Sequence, residues 1–258
     1  MAKKRLDVLM VEKGLVISRS LAQRMVMAGQ VRVNGELVLK SSYKILPVDQ
    51  ITIDRGPRYI SRGGDKLAAA LEAFDLSINE KTCADVGSST GGFTDCLLQH
   101  GARLVFAIDV GKGILHWKMR QRKDVIVMEQ TNARYLTTLP EPVHLITIDA
   151  SFISLRTLLP VVINWFPVSG DVIALVKPQF EAGRKAVSRG DGVIRDADIH
   201  RSVLDQILHI SQEMGFAIKG LIRSPLVGPK GNIEFLLWLE YPGKPGDYQQ
   251  MIQAVMLE

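Results

Sequence analysis

Between residues 82 and 94 the chain reads Thr-Cys-Ala-Asp-Val-Gly-Ser-Ser-Thr-Gly-Gly-Phe-Thr. A short apolar run reaches an acid, Asp85, then breaks into glycines and small hydroxyls. A helix-forming stretch follows over 93–100, closed by Gly101. Strand, glycine-rich turn and helix in that order bring a backbone close to a bound cofactor at the end of a parallel strand. The spacing rules out two cofactor classes. Ser89 stands where the second glycine of a dinucleotide fingerprint belongs, and no Gly-Lys-Ser/Thr follows for a nucleoside triphosphate. What is left, Asp-x-Gly-x-x-x-Gly-Gly, is compatible with another cofactor turn or with a plain tight turn in an α/β domain.

The flanking sequence narrows this. Extended runs over 82–86, 104–110, 125–128, 143–148, 171–176, 217–222 and 234–240 alternate with helical stretches, which makes a mostly parallel sheet. Only residues 223–233 separate the last two runs, too few for a packed helix, so those two are expected to pair antiparallel. A terminal helix is expected over 247–257. Asp109 closes the second run a little over twenty residues past the glycine turn, where a carboxylate can accept from ribose hydroxyls. Asn132, after the third run, can read an adenine edge or simply form a turn. With these neighbours the turn resembles the first motif of S-adenosylmethionine-dependent methyltransferases. The resemblance implies a Rossmann-like seven-stranded sheet, with S-adenosylmethionine held by Asp85, Gly87, Ser88, Ser89, Thr90, Gly91, Gly92, Phe93, Asp109 and Asn132.

Charge is unevenly distributed. Of the net +5, residues 1–62 carry +7 and the remainder −2, a pattern expected of a basic module that meets a polyanion joined to a near-neutral body. Within the module, Leu6, Leu9 and Met10 form the stripe of a first helix over 5–13. Ser20 and Gln23 have capping-box spacing at the head of a second, in which Leu21, Met25 and Ala28 are expected to face inward. Val31-Arg-Val, Asn34-Gly35 and Leu37-Val-Leu read as a hairpin, and 50–53 as a further strand. Arg5-Leu-Asp, Gly14, Ser18-Arg-Ser-Leu-Ala and Gly29-Gln-Val-Arg-Val-Asn-Gly, in this order, resemble an S4 RNA-binding domain. That implies RNA bound across Arg5, Arg19, Gln23, Arg24, Arg32 and Lys40, a set suited to reading phosphate positions and shape. The domains expected are an α+β S4-like unit at 1–54, a linker at 55–62 and a methyltransferase domain at 63–258.

Four further residues stand in unusual places. Lys66 lies in the first turn of a helix, where a cation opposes the dipole. Asp149 and Lys177 fall at the ends of adjacent apolar runs, and Glu234 opens the last one. In order and context they resemble the Lys-Asp-Lys-Glu tetrad of FtsJ-type RNA ribose 2′-O-methyltransferases. An S4 domain, the join Ser-Arg-Gly-Gly-x-Lys-Leu and an FtsJ-like domain together resemble the TlyA family, historically called haemolysins, which includes ribosomal RNA cytidine 2′-O-methyltransferases. The implied partners are ribosomal RNA or ribosomal subunits. The weakest match is Asn132, where many such enzymes carry an acid. The implied roles make Lys177 the base or the cation that steadies a forming alkoxide, Asp149 its orienter, and Lys66 and Glu234 the ribose clamp. The stretch 183–195, rich in glycines and cations, suits a loop that closes on RNA or an ordinary exposed loop.

Two cysteines cannot make a disulfide framework, Cys83 reads as core, and no signal-peptide run opens the chain, so a cytoplasmic protein is expected. The run over 158–168 is broken by Pro160, Asn164 and Pro167 and is too short to span a bilayer, which disfavours a pore-forming haemolysin. The other rival is an RNA-binding or ribosome-assembly protein with an inactive methyltransferase fold, against which the intact tetrad counts.

Overall fold

In the computed structural model the described residues are 2–54, 56–183 and 192–257. The chain forms two compact units, Met1–Arg58 and Tyr59–Glu258, so residues 59–62 pack with the second.

In the first unit β1 (Lys4–Arg5) pairs antiparallel with β4 (Lys44–Ile45), framing α1 (Leu6–Glu12) and α2 (Arg19–Met27). β2 (Val31–Val33) pairs with both β3 (Glu36–Leu37) and β5 (Ile51–Ile53). The hairpin turns on Asn34 and Gly35, both at positive φ, as a two-residue turn that matches strand twist requires. Leu6, Leu9, Met10, Val16, Ala22, Val26, Val31, Val33 and Ile45 fill the core. The start of α2 departs from expectation. Ser18, not Ser20, is the cap, its Oγ accepting from Leu21 N at 3.2 Å. Gln23 makes no capping box: its Nε2 donates to Asp7 Oδ2 at 2.8 Å. Two adjacent i, i+4 rows of α2 are apolar, and Ala22–Val26 is the one buried; Leu21 and Met25 are half-buried and Ala28 is exposed.

The second unit is a seven-stranded sheet of β6 (Thr82–Val86), β7 (Leu104–Ile108), β8 (Val125–Met128), β9 (Leu145–Ile148), β10 (Gly170–Val176), β11 (Ala217–Arg223) and β12 (Phe235–Tyr241). Their spatial order is β11-β12-β10-β9-β6-β7-β8, and β12 runs antiparallel between β10 and β11. The chain leaves β6 toward β7 and β8, then returns to β9 and β10 on the other side. The crevice at that reversal is where open α/β sheets bind ligands. One face is covered by α3 (Gly63–Ala73), α4 (Gly92–Gln99), α5 (Trp117–Arg120) and the loop before α5, through Leu67, Phe93, Leu97, Met119 and the loop residue Leu115. The other carries α6 (Leu155–Val162), α8 (Ala197–Glu213) and α9 (Gln249–Leu257), through Leu158, Leu204, Ile207 and Ile252. A short α7 (Pro178–Glu181) follows β10.

Three strands are shorter at one end than their apolar runs, among them β12, which begins at Phe235 and leaves Glu234 just outside it. β7 stops at Ile108 because the Asp109 side chain turns back to accept from nearby backbone N–H groups, leaving Val110 exposed. β9 begins at Leu145 rather than 143. Among the described residues no helix is long and apolar enough to cross a membrane, and no cluster of His, Cys, Asp and Glu has a metal-binding arrangement.

Candidate active site

The glycine turn follows β6 and packs on the end of β9. Gly87 has φ +84°, and a Cβ there would meet the Asp149 carbonyl oxygen at 2.7 Å, so only glycine fits. Asp109 pins the turn: Oδ2 accepts from Ser89 N at 2.9 Å and Oδ1 from Gly111 N at 2.7 Å. Beneath it Asp85 is fully buried, accepting from Thr94 Oγ1 at 2.6 Å and Thr147 Oγ1 at 3.1 Å. Burial pushes its carboxyl up to about 7, an effect the two hydroxyls only partly oppose.

A cleft of about 1210 Å³ opens above the carboxyl ends of β6, β9 and β10, larger than one small ligand needs. Gly87, Ser88, Ser89, Thr90, Gly92 and Phe93 line it, as do Lys66, Asp149, Lys177 and Glu234. Asp85, Gly91, Asp109 and Asn132 are not among its lining. Asp85 lies below the turn and Asp109 is engaged with backbone. Asn132 Oδ1 accepts from Arg134 N at 3.1 Å, capping the short 3-10 turn Ala133–Tyr135, with its carboxamide exposed.

The four titratable residues form two ion pairs. Lys177 Nζ lies 2.6 Å from Asp149 Oδ1, 3.1 Å from Ser151 Oγ and 3.4 Å from the Asp149 carbonyl. Lys66 Nζ donates to Glu234 Oε2 at 2.5 Å. Strand register explains the company. Val176 pairs with Phe235 across the antiparallel β10–β12 ladder, so the residues just beyond, Lys177 and Glu234, emerge side by side. Ile148 is opposite Ala174 in parallel β9, which sets Asp149 within reach of Lys177. Lys177 and Glu234 are buried, and Lys66 keeps only 11% of its side chain exposed.

Three buried polar atoms on the cleft wall have no partner among the described residues: Ser88 Oγ in the glycine turn, Gln179 Oε1 in α7 and Glu234 Oε1. Buried polar groups are normally satisfied, so all three point to a ligand that supplies the missing bond. Phe152, 91% exposed, sits at φ +64° between Ser151 and the start of α6. A bulky residue in the left-handed region is strained, and such strain gathers at functional sites. Its ring lies 5.0 Å from that of Phe180, over which Lys177 Nζ rests at 5.9 Å. Ser151, Phe152 and Phe180 were visible in the sequence beside Asp149 and Lys177, but no spacing marked them. A fourth residue had no signal at all: a Cβ on Gly228 would stand 2.1 Å from Glu234 Oε1.

Arg5, Arg19 and Gln23 converge on one buried carboxylate of the first unit. Arg5 Nη2 and Arg19 Nε lie 2.9 and 3.0 Å from Asp7 Oδ2, alongside the Gln23 bond. Arg24, Arg32 and Lys40 are exposed, Arg32 touching the Gly35 carbonyl at 3.3 Å. Of the stretch expected to close on RNA, residues 184–191 lie outside the described residues; Gly183 and Gly192 on either side line the cleft.

The sequence profile of FtsJ-like methyltransferases matches residues 59–241, the greater part of the chain. The chain belongs to the FtsJ-like methyltransferase family. An S4 domain profile matches residues 4–51 of this FtsJ-like protein. It is 43% identical to the 16S/23S rRNA (cytidine-2′-O)-methyltransferase TlyA of Mycobacterium tuberculosis, over 91% of this chain and 89% of that one. It is 40% identical to Hemolysin A of Brachyspira hyodysenteriae, over 90% and 98%. A solved hemolysin-named structure from Streptococcus thermophilus superposes with a TM-score of 0.75 at 44% identity, covering 100% of this chain and 95% of the other. As an FtsJ-like methyltransferase the chain takes its methyl group from S-adenosylmethionine. The unpartnered Ser88 hydroxyl and the glycines of the turn fit that cofactor.

Proposed function

We propose that this chain methylates a ribose 2′-hydroxyl of ribosomal RNA, cytidine being the nucleoside named for its relatives. The observation that carries the reading is the pair of ion pairs, Lys177–Asp149 and Lys66–Glu234, facing one cleft beside the glycine turn. S-adenosylmethionine, when bound, supplies an electrophilic methyl group on a sulfonium. Ser88 and the backbone from Gly87 to Phe93 hold it, and Asp109 keeps the turn in shape while offering spare lone pairs to its ribose.

A ribose hydroxyl is a weak nucleophile and needs a positioned group to share its proton. Lys177 fills that role, its Nζ held at a set point by Asp149 and Ser151. Lys66 and Glu234 fix the sugar: Glu234 keeps Oε1 open to accept from a ribose hydroxyl while Oε2 holds Lys66. Phe152 and Phe180 offer a ring surface on which the target base can stack, the usual way an unpaired RNA base is gripped. Arg24, Arg32 and Lys40, with Arg5, Arg19 and Gln23 arranged by Asp7, bind RNA on the S4 unit.

The test is transfer of labelled methyl from S-adenosylmethionine to purified ribosomal subunits, followed by nucleoside analysis. Wild type yields 2′-O-methylcytidine. Lys177→Ala is expected to bind cofactor and RNA normally and to lose about 10²- to 10⁴-fold in turnover. Near-normal turnover of that variant, or label on a base, overturns the reading.

A further inference from the structure

The body beyond residue 62 is slightly acidic, yet residues 111–124 gather five of its twenty cations with a single acid, Asp124. Two of the five are spent locally: Arg120 pairs with Glu129 and Arg122 with Asp124. Lys112, Lys118 and Lys123 are exposed and make no ion pair among the described residues. Among them stands Trp117, 58% exposed, with Lys118 Nζ 5.9 Å from its ring centroid. We infer that α5 and the loop before it form a second RNA-binding surface, lying on the methyltransferase unit and distinct from the S4 arginines.

Three features favour RNA over a merely solvated face. Exposed indole between lysines is the composition that holds single-stranded nucleic acid, stacking a base while cations track the backbone. The support is rigid: the Glu129 carboxylate accepts from Gly113, Ile114 and Leu115 N–H at 2.7, 3.0 and 3.1 Å, so Lys112 and Trp117 project from a fixed backbone. The surface also adjoins the cofactor turn. His116 N donates to the Thr90 carbonyl at 3.2 Å, and a Cβ on Gly91 would meet Leu115 and Met119 at 3.0 and 3.1 Å. RNA seated on α5 therefore bears on the turn that grips the methyl donor.

The choice of RNA as occupant rests on the proposed function, and the experiment separates the two. Binding of full-length protein to a labelled hairpin RNA of mixed sequence with a single-stranded loop is measured by anisotropy across a series of KCl concentrations. Replacing Lys112, Lys118 and Lys123 by alanine is expected to lower the slope of log affinity against log salt by about 2, and affinity at low salt about tenfold or more. Cofactor affinity without RNA stays within about twofold, which reports an intact fold. Trp117→Phe removes a fluorescence quench that RNA causes in the wild type. Slopes and affinities equal to wild type overturn this inference and leave the patch to an acidic protein surface or to solvent. If wild type binds RNA with the expected slope difference but transfers no methyl group, the proposed reaction fails and this surface stands.

Discussion

Ser88 is the residue from which the cofactor site can be tested with the smallest perturbation. Its buried hydroxyl has no partner among the described residues, so removing it costs the free protein nothing in hydrogen bonds while denying one to a ligand. Ser88→Ala is expected to leave the melting temperature unchanged or slightly higher and to weaken S-adenosylmethionine about two- to tenfold by calorimetry, the worth of one neutral hydrogen bond. Gly228 offers a complementary test on the other wall. A methyl group there falls on the Glu234 carboxylate, so Gly228→Ala is expected to push Glu234 off Lys66 and lower kcat by about tenfold or more, in line with overpacking costs of ~1–3 kcal/mol. Shortening the acid makes room again: adding Glu234→Asp should recover part of the Gly228→Ala loss, whereas two independent defects would simply add.

At the scale of elements, α1 and α2 are joined through one carboxylate. Asp7 is buried, and hydrogen bonds from Arg5, then Gln23 and Arg19, hold it well below the usual carboxylate range against the opposing effect of burial. A group whose folded pKa is depressed contributes stability that is present above about pH 4 and lost as pH falls through the folded value. The S4 unit of the wild type should therefore weaken below about pH 4. Asp7→Asn, less stable at pH 7, should show a flatter acid limb when urea unfolding of that unit is followed by NMR at a series of pH values.

The same scale shows what a sequence can and cannot tell. The apolar runs of β6 and β8 predict those strands residue for residue, because charged residues bound β8 at both ends, and Lys81 and the turn glycine Gly87 bound β6. The tetrad was readable as four misplaced charges at strand ends and a helix start. Its pairing was not, since Lys177 meets Asp149 through the register of β10 with β9, and Glu234 meets Lys66 only where α3 packs against β12. Nor was the fate of Gln23: a capping-box spacing and a partner for a buried acid are the same letters, and the acid lies sixteen residues upstream. Phe152 was invisible as a site because its distinction is a backbone angle.

For the whole molecule the relevant quantity is charge. Residues 1–58, the S4 unit, hold eleven Lys/Arg against five Asp/Glu, a balance of +6 in a chain whose net charge is +5, so that unit is expected to dominate the salt dependence of RNA binding. Replacing exposed Arg24, Arg32 and Lys40 by alanine should lower the log–log salt slope by about 2 and raise KM for RNA, with kcat at saturating RNA unchanged, since all three belong to the first unit and the proposed chemistry to the second. A fall in kcat instead would mean that these side chains help to align the target nucleotide as well as to hold RNA.

The position of β12 carries a consequence for synthesis. It is the last strand made, yet it enters the sheet between β10 and β11, and it brings Glu234 with it. The S4 unit is complete once residue 58 has been added. At about 5–20 residues per second, the intervening 176 residues take roughly ten to thirty-five seconds. Through that interval the nascent chain displays a finished basic module on the translating ribosome, itself made of RNA, while the cleft still lacks Glu234. Under the proposed function, every new molecule thus spends its first moments able to hold RNA but not to modify it.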